Sequence, residues 1–137
     1  MTTYEISMLL VKPDGVVKGL VDEIKKIIIS KGLTIVEEFE KTLKPETVKQ
    51  LYWEISDVRN RDYFPQLIKF MSSSPVHIFV VQGKDAVKAV RAIIGKREPP
   101  SGIRQKWATS IICNVAHGPH TLERARQEIK LLLDKEA

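Results

Sequence analysis

Residues Tyr4 to Val11, YEISMLLV, are apolar on both faces that a strand would present. Ile6, Met8 and Leu10 mark one side, and Leu9 and Val11 the other. The segment reads as a buried strand, and the rest of the chain has to supply the sheet and the cover around it. It ends at Lys12, where Pro13-Asp14-Gly15 breaks the pattern.

Leu20, Val21, Ile24, Ile27 and Ile28 then recur at helical spacing, with Lys31-Gly32 as a stop. Leu33 to Leu43 reads as a second, half-exposed strand carrying Glu37, Glu38, Glu40 and Lys41. Pro45 and Glu46 open a helix bearing Val48, Leu51, Tyr52 and Ile55. Asp57 to Asp62 is polar and reads as a loop, Phe64 to Met71 as a short helix, and Ser72-Ser73-Ser74-Pro75 as its end. Val76 to Val81 is an apolar strand, after which Gly83 is expected to turn the chain into a helix with Ala86, Val87, Val90, Ile93 and Ile94 inward. Gly95 to Gly102 has no periodicity and reads as a surface loop. Ser110 to Val115 is the expected fourth strand, and Leu122, Ala125, Ile129, Leu132 and Leu133 form the last helical stripe. The order β-α-β-α-α-β-α-β-α fits the α/β (α+β) class, a two-layer sandwich with helices over one face of a four-stranded, mainly antiparallel sheet. Without an internal repeat, a low-complexity tract or a dividing linker, residues 1–137 read as a single domain.

Composition narrows the setting. A lone cysteine, Cys113, makes no intrachain disulfide, which fits a reducing, cytoplasmic compartment. The start MTTYEISMLLVKPDG lacks the pattern of a secretory leader, and no apolar run approaches the ~20 residues of a membrane helix. No membrane partner is therefore expected. The 22 basic and 17 acidic residues leave a formal charge of +5, which favours anionic partners such as nucleotides or nucleic acid. A solvated basic surface accounts for that charge equally well.

Polar residues gather at strand ends and helix starts. Lys12 closes the first strand, Asn114 lies three residues before His117, Arg91 sits late in a helix, Arg104 follows the irregular loop, and Tyr52 flanks Leu51. Taken singly, each is more often a solvated charge or a packing residue. His77 alternates with Phe79 and Val81 on its strand and reads as packed, not catalytic. Taken together, they suit phosphoryl transfer. A neutral imidazole is a nucleophile near pH 7, and cationic forks and ammonium groups position and neutralise phosphate oxygens.

The stretches LLVKPDGVVKGL, LYWE, YFPQLIKFMSSSPV, AVRAIIG, GIRQKWA and NVAHG occur in the order found in nucleoside diphosphate kinases, over roughly residues 4 to 133. The chain resembles that family. The resemblance implies a ferredoxin-like sandwich and ping-pong transfer of a γ-phosphate between nucleoside tri- and diphosphates through a phosphohistidine. It implies His117 as the phosphoryl carrier, Lys12 and Asn114 at the ribose and phosphates, Arg91 and Arg104 at the phosphates, and Tyr52 near the γ-phosphate. Tyr63-Phe64 would cover one face of the base, with Tyr63 the stacker and Leu67 close by, and Ile111 would pack on the other face. Glu128 would orient the catalytic ring. It borders the apolar stripe of the last helix, from which it is expected to accept Nδ1–H of His117 and leave Nε2 for attack. Magnesium would ride on the nucleotide phosphates, with no metal held by the protein itself.

The chain also departs from the family pattern. Gly95-Lys96-Arg97-Glu98-Pro99 stands where the family has G-x-T-D-P, so Arg97 is expected to offer a phosphate its charge in place of a hydroxyl. The loop before Ile103-Arg104 is shorter than usual, which implies a homo-oligomer, a dimer or larger, with a weakened trimer contact. Pro119 and His120 replace a serine and an aspartate, Gln105 a glycine, and Cys113 an arginine. The serine normally joins Glu128 in supporting the histidine. Two other readings compete: a nucleotide-binding regulatory module of the same fold with little turnover, and a nucleic-acid-binding domain. Nucleic acid is disfavoured because the exposed second strand is acidic.

Overall fold

The computed structural model describes residues 4–53, 60–96, 101–110 and 112–134. Four strands occur among them: β1 (Tyr4–Val11), β2 (Thr34–Lys41), β3 (Val76–Lys84) and β4 (Ala116–His117). The helices among the described residues are α1 (Pro13–Val17), α2 (Val21–Ser30), α3 (Pro45–Trp53), α4 (Phe64–Met71), α5 (Ala86–Ile94), α6 (Gly102–Trp107) and α7 (Leu122–Leu133). The sheet order is β2-β3-β1-β4, and every neighbouring pair is antiparallel. This is the expected ferredoxin-like arrangement.

The two-faced apolarity of β1 explains how the layers stack. Met8 and Leu10, with Ile78 and Val80 of β3, pack on one side against Val48 and Leu51 of α3, Leu67 and Met71 of α4 and Ile129 and Leu132 of α7. Leu9 and Val11, with Phe79 and Val81, pack on the other side against Ile24 and Ile28 of α2, Val90 and Ile94 of α5 and Ile103 of α6. Helices thus cover both faces, where one covered face was expected from the order of elements. The reason is already present in β1 and β3, whose successive residues are apolar on both sides and need cover on both.

Four local expectations give way. Pro13-Asp14-Gly15 ends β1 by starting the short helix α1, which suits proline in a first turn. Gly83 does not turn the chain but lies within β3. The end of the irregular loop folds into α6. The described residues of the expected fourth strand, Ser110 and residues 112–115, form none: Thr109 N and Ser110 N both point to the Cys113 carbonyl, while Ser110 Oγ accepts from Cys113 N, 2.9 Å. These local bonds draw Thr109 and Ser110 to Cys113, and pairing with β1 begins only at Ala116. Hydroxyls at 109 and 110 compete with a ladder, and the apolar run alone does not reveal that competition.

Candidate active site

His117 ends β4 opposite Leu10, so the sheet fixes its backbone. The turn just before it is held tightly. Lys12 N donates to Val115 O (2.7 Å), Val115 N donates to Asp14 Oδ2 (3.1 Å), and Ala116 N donates back to Asn114 O (2.9 Å). That last bond spans three residues, and Val115 at its centre has φ +77°. A β-branched residue there is strained, and the clamps from Lys12 and Asp14 hold it in place. The strained turn brings Asn114 beside Lys12. Lys12, 2% exposed, donates from Nζ to Asn114 Oδ1 at 2.7 Å and to Ile112 O at 3.3 Å.

After His117 the chain passes close to its neighbours. A Cβ on Gly118 would come within 2.7 Å of Ile94 Cδ1 and 2.8 Å of Val90 Cγ1. The glycine therefore lets the chain pass against α5. The histidine that this corner holds is buried: its side chain is 4% exposed. Thr121 then caps α7 by accepting from Arg124 N at 3.1 Å.

The cap sets the phase of α7, and Glu128 comes round to the ring. Its Oε1 lies 2.7 Å from Nε2 of His117. The expected pairing was with Nδ1, so the two nitrogens exchange roles. A carboxylate oxygen at this distance suits a ring that donates from Nε2, and the lone pair then falls on Nδ1. Spacing put Glu128 on the right face of the helix but could not say which edge of the ring turns toward it. The Tyr52 ring lies 4.9 Å from the His117 ring, tilted by 57°, and Lys12 Nζ lies 5.9 Å from the Tyr52 centroid.

Two arginines bracket the histidine through its flanking carbonyls. Arg91 Nη1 donates to Gly118 O at 3.2 Å, and Arg104 Nη2 donates to Ala116 O at 3.2 Å. Arg104 Nη1 also reaches Gly95 O at 3.3 Å. The field of these cations bears on the ring. Burial above all, with Lys12 and Arg104 adding to it, holds the His117 pKa below its ordinary value against the opposing pull of Glu128. His120 is pushed down to about 4, first by partial burial and then by Arg91.

Among the expected base-binding residues, Phe64 and Leu67 are buried in the cluster that contains Tyr52, while Tyr63 is only partly buried against it. Of these three, Tyr63 has the most surface to offer a ligand. Arg97 and Ile111 lie outside the described residues. Sequence reasoning missed Arg124, whose Nε donates to Glu128 Oε2 at 3.2 Å. Its signal was a basic residue four positions before an acidic one on a helix face. It also gave Asp14 no role beyond breaking the strand. Among the described residues no three His, Cys, Asp or Glu side chains converge as a metal cage. The basic donors around His117 are of the kind that fits phosphate oxygens.

A family model described as nucleoside diphosphate kinase matches residues 5–137. The chain is 34% identical to a nucleoside diphosphate kinase of Saccharolobus solfataricus, over 94% of each chain. It is 37% identical to one of Caldanaerobacter subterraneus subsp. tengcongensis, over 96% of this chain and 95% of the relative. A crystal structure of the Aquifex aeolicus nucleoside diphosphate kinase superposes with a TM-score of 0.84 at 32% identity, covering 97% of both chains.

Proposed function

The chain belongs to the nucleoside diphosphate kinase family and is a phosphotransferase; from that premise we propose that it moves the γ-phosphate of a nucleoside triphosphate to a nucleoside diphosphate through His117. The observation that carries the reading is the Glu128–His117 contact, in which a carboxylate oxygen favours the ring proton on Nε2 and leaves the attacking lone pair on Nδ1. The Nδ1 lone pair forms a bond to the γ-phosphorus, and the bond from that phosphorus to the β–γ bridging oxygen breaks. The nucleoside diphosphate leaves with the electron pair. The ring, still protonated at Nε2, then carries positive charge, which the Glu128 carboxylate offsets. A terminal oxygen of a second nucleoside diphosphate attacks the same phosphorus and restores the imidazole.

Lys12, Arg91 and Arg104 supply the cationic field for the equatorial oxygens. The two arginines now rest on the carbonyls either side of His117, so phosphate oxygens would replace carbonyl oxygens as acceptors. Asn114 is the ribose contact, Tyr52 approaches the γ-phosphate, and Tyr63 stacks on the base. A stacking contact reads a π-face, so broad base specificity follows. Mg2+ enters as part of the Mg–nucleotide substrate and neutralises phosphate charge there. We read residues 1–137 as one domain working in the cytoplasm. We also read it as a homo-oligomer, since the edge strand β2 and the neighbouring α2 expose Val36 and Ile29. Light scattering tests that assembly, and a monomer at working concentration would refute it. The relatives are named as kinases, and nothing favours a module without turnover.

Incubation with γ-labelled ATP and magnesium should leave a protein label that is acid-labile and alkali-stable, as a phosphoramidate is. Adding GDP should chase it into GTP. Protein that binds nucleotide yet takes no label would overturn the reading.

A further inference from the structure

Glu128 is 2% exposed, and a buried carboxylate needs hydrogen-bond partners for its oxygens. Its Oε1 meets His117 Nε2, and its Oε2 accepts from Arg124 Nε. The same guanidinium donates from Nη2 to Leu51 O at 3.0 Å and from Nη1 to Gln127 Oε1 at 2.9 Å. Leu51 precedes Tyr52, whose ring rests near His117. One side chain, 19% exposed, thus ties the first turns of α7 to the end of α3 and to the carboxylate behind the histidine.

We infer that Arg124 is a positioning residue for the chemistry at His117, acting through Glu128 to lock the Nε2–H tautomer. This rests on the reading of His117 as phosphoryl carrier. With Arg124 in place, both Glu128 oxygens are engaged and Oε1 is held against Nε2. Without it, Oε2 loses its cationic partner in a buried setting, and the carboxylate is no longer fixed against Nε2. A ring released from Oε1 can carry its proton on Nδ1 instead, which occupies the attacking lone pair. The other groups around the pair are Lys12 at the end of β1, Arg104 on α6, Tyr52 on α3 and His120 in the turn before α7. Lys12 and Arg104 act on the ring of His117, which leaves Arg124 as the cation bonded to the carboxylate.

The test combines two readouts on the full chain. Long-range proton–nitrogen NMR of uniformly 15N-labelled protein, between pH 6 and 8, should show His117 with a protonated Nε2 and a bare Nδ1. Arg124→Ala and Arg124→Gln should populate the other tautomer or exchange between the two. In single-turnover labelling the rate should fall by roughly 10- to 100-fold, the range seen when partners that orient metal-bound histidines are removed. Nucleotide affinity should stay within about twofold, since Arg124 acts on the carboxylate behind the ring. Arg124→Lys should recover part of the rate and the wild-type tautomer. If Arg124→Ala does not fold, Arg124→Gln, which keeps a donor but no charge, carries the test. A wild-type tautomer with an undiminished labelling rate in either folded variant overturns the inference, whatever happens to melting temperature. If wild-type protein takes no label, the proposed function fails by itself, while the NMR readout still reports on Arg124.

Discussion

Two histidines in this chain meet glutamates, and the contrast between them separates a nucleophile from a clip. His117, with a 4% exposed ring, uses one nitrogen on Glu128, which is itself 2% exposed. His77, on β3, has both nitrogens on carboxylates of the edge strand β2: Nε2 to Glu38 Oε2 at 2.8 Å and Nδ1 to Glu40 Oε2 at 3.1 Å. Those glutamates are 29% and 48% exposed. A ring with both nitrogens turned onto carboxylates presents no unengaged nitrogen to a phosphate. A ring that donates from one, with its partner carboxylate anchored by an arginine, keeps a lone pair available. A histidine beside a glutamate is thus not enough. The number of ring nitrogens engaged and the depth of the pair decide what the residue can do.

The largest effect should fall on this contrast. His117→Ala should abolish labelling by γ-labelled ATP, while His77→Ala and His120→Ala should retain it. Label that survives His117→Ala and disappears in His120→Ala would move the reactive centre and break the comparison. Next, Glu128→Ala should slow labelling by roughly 10²- to 10⁴-fold, the range of a positioned acid–base or orienting group. Glu40→Ala should leave it near the wild-type rate.

What could be read from the sequence follows the physical range of each signal. The periodicities of β1, α5 and α7 are set by burial along one element, and these elements appear where expected. The Thr121 cap is likewise a local bond between near neighbours. The fourth strand was misplaced because its position depends on a strained Val115 and on side-chain bonds that compete with the ladder. Resemblance picked out Lys12, Asn114, Tyr52 and His117, which the fold does bring together. It could not settle which imidazole nitrogen faces Glu128, because that depends on a ring rotation set by packing. Arg124 was overlooked because its i,i+4 spacing to Glu128 looks like an ordinary helix-surface pair, and its bond to the Leu51 carbonyl, 73 residues away, forms only in three dimensions.

A third, intermediate effect concerns pH. His117 and His120 both have pKa values below the ordinary 6.5, His120 near about 4. NMR titration of their ring protons should give midpoints under 6.5, with His120 the one near 4. The unfolded chain takes up these protons first as pH falls. Stability should therefore begin to drop near pH 6.5 and go on dropping until the folded-state values are passed. His120→Ala should flatten part of that slope. A His117 midpoint above 6.5 would mean that Glu128 outweighs burial and the neighbouring cations.

The smallest effect belongs to the edge clip. Glu38 pairs with Lys25 Nζ at 2.9 Å and with His77, and both pairs are partly exposed. Its pKa is held below 4.5, first by the hydrogen bond from Lys25 and then by His77, with burial opposing. Exposed pairs contribute about 0–1 kcal/mol, and less in high salt. Glu38→Gln should therefore lower the melting temperature by no more than about 5 °C at this chain length. The sign with pH is fixed by the depressed pKa. The contribution is fully present above the unfolded value and is lost as pH falls through the folded one. Melting curves of wild type and Glu38→Gln should thus differ at pH 7 and converge below pH 4.5. A gap that persists in acid would show that the carboxylate's charge is not what holds β2 to β3. A loss beyond about 2 kcal/mol at pH 7 would mean the clip is as demanding as the buried pair, and the distinction between the two histidines would rest on nitrogen count alone.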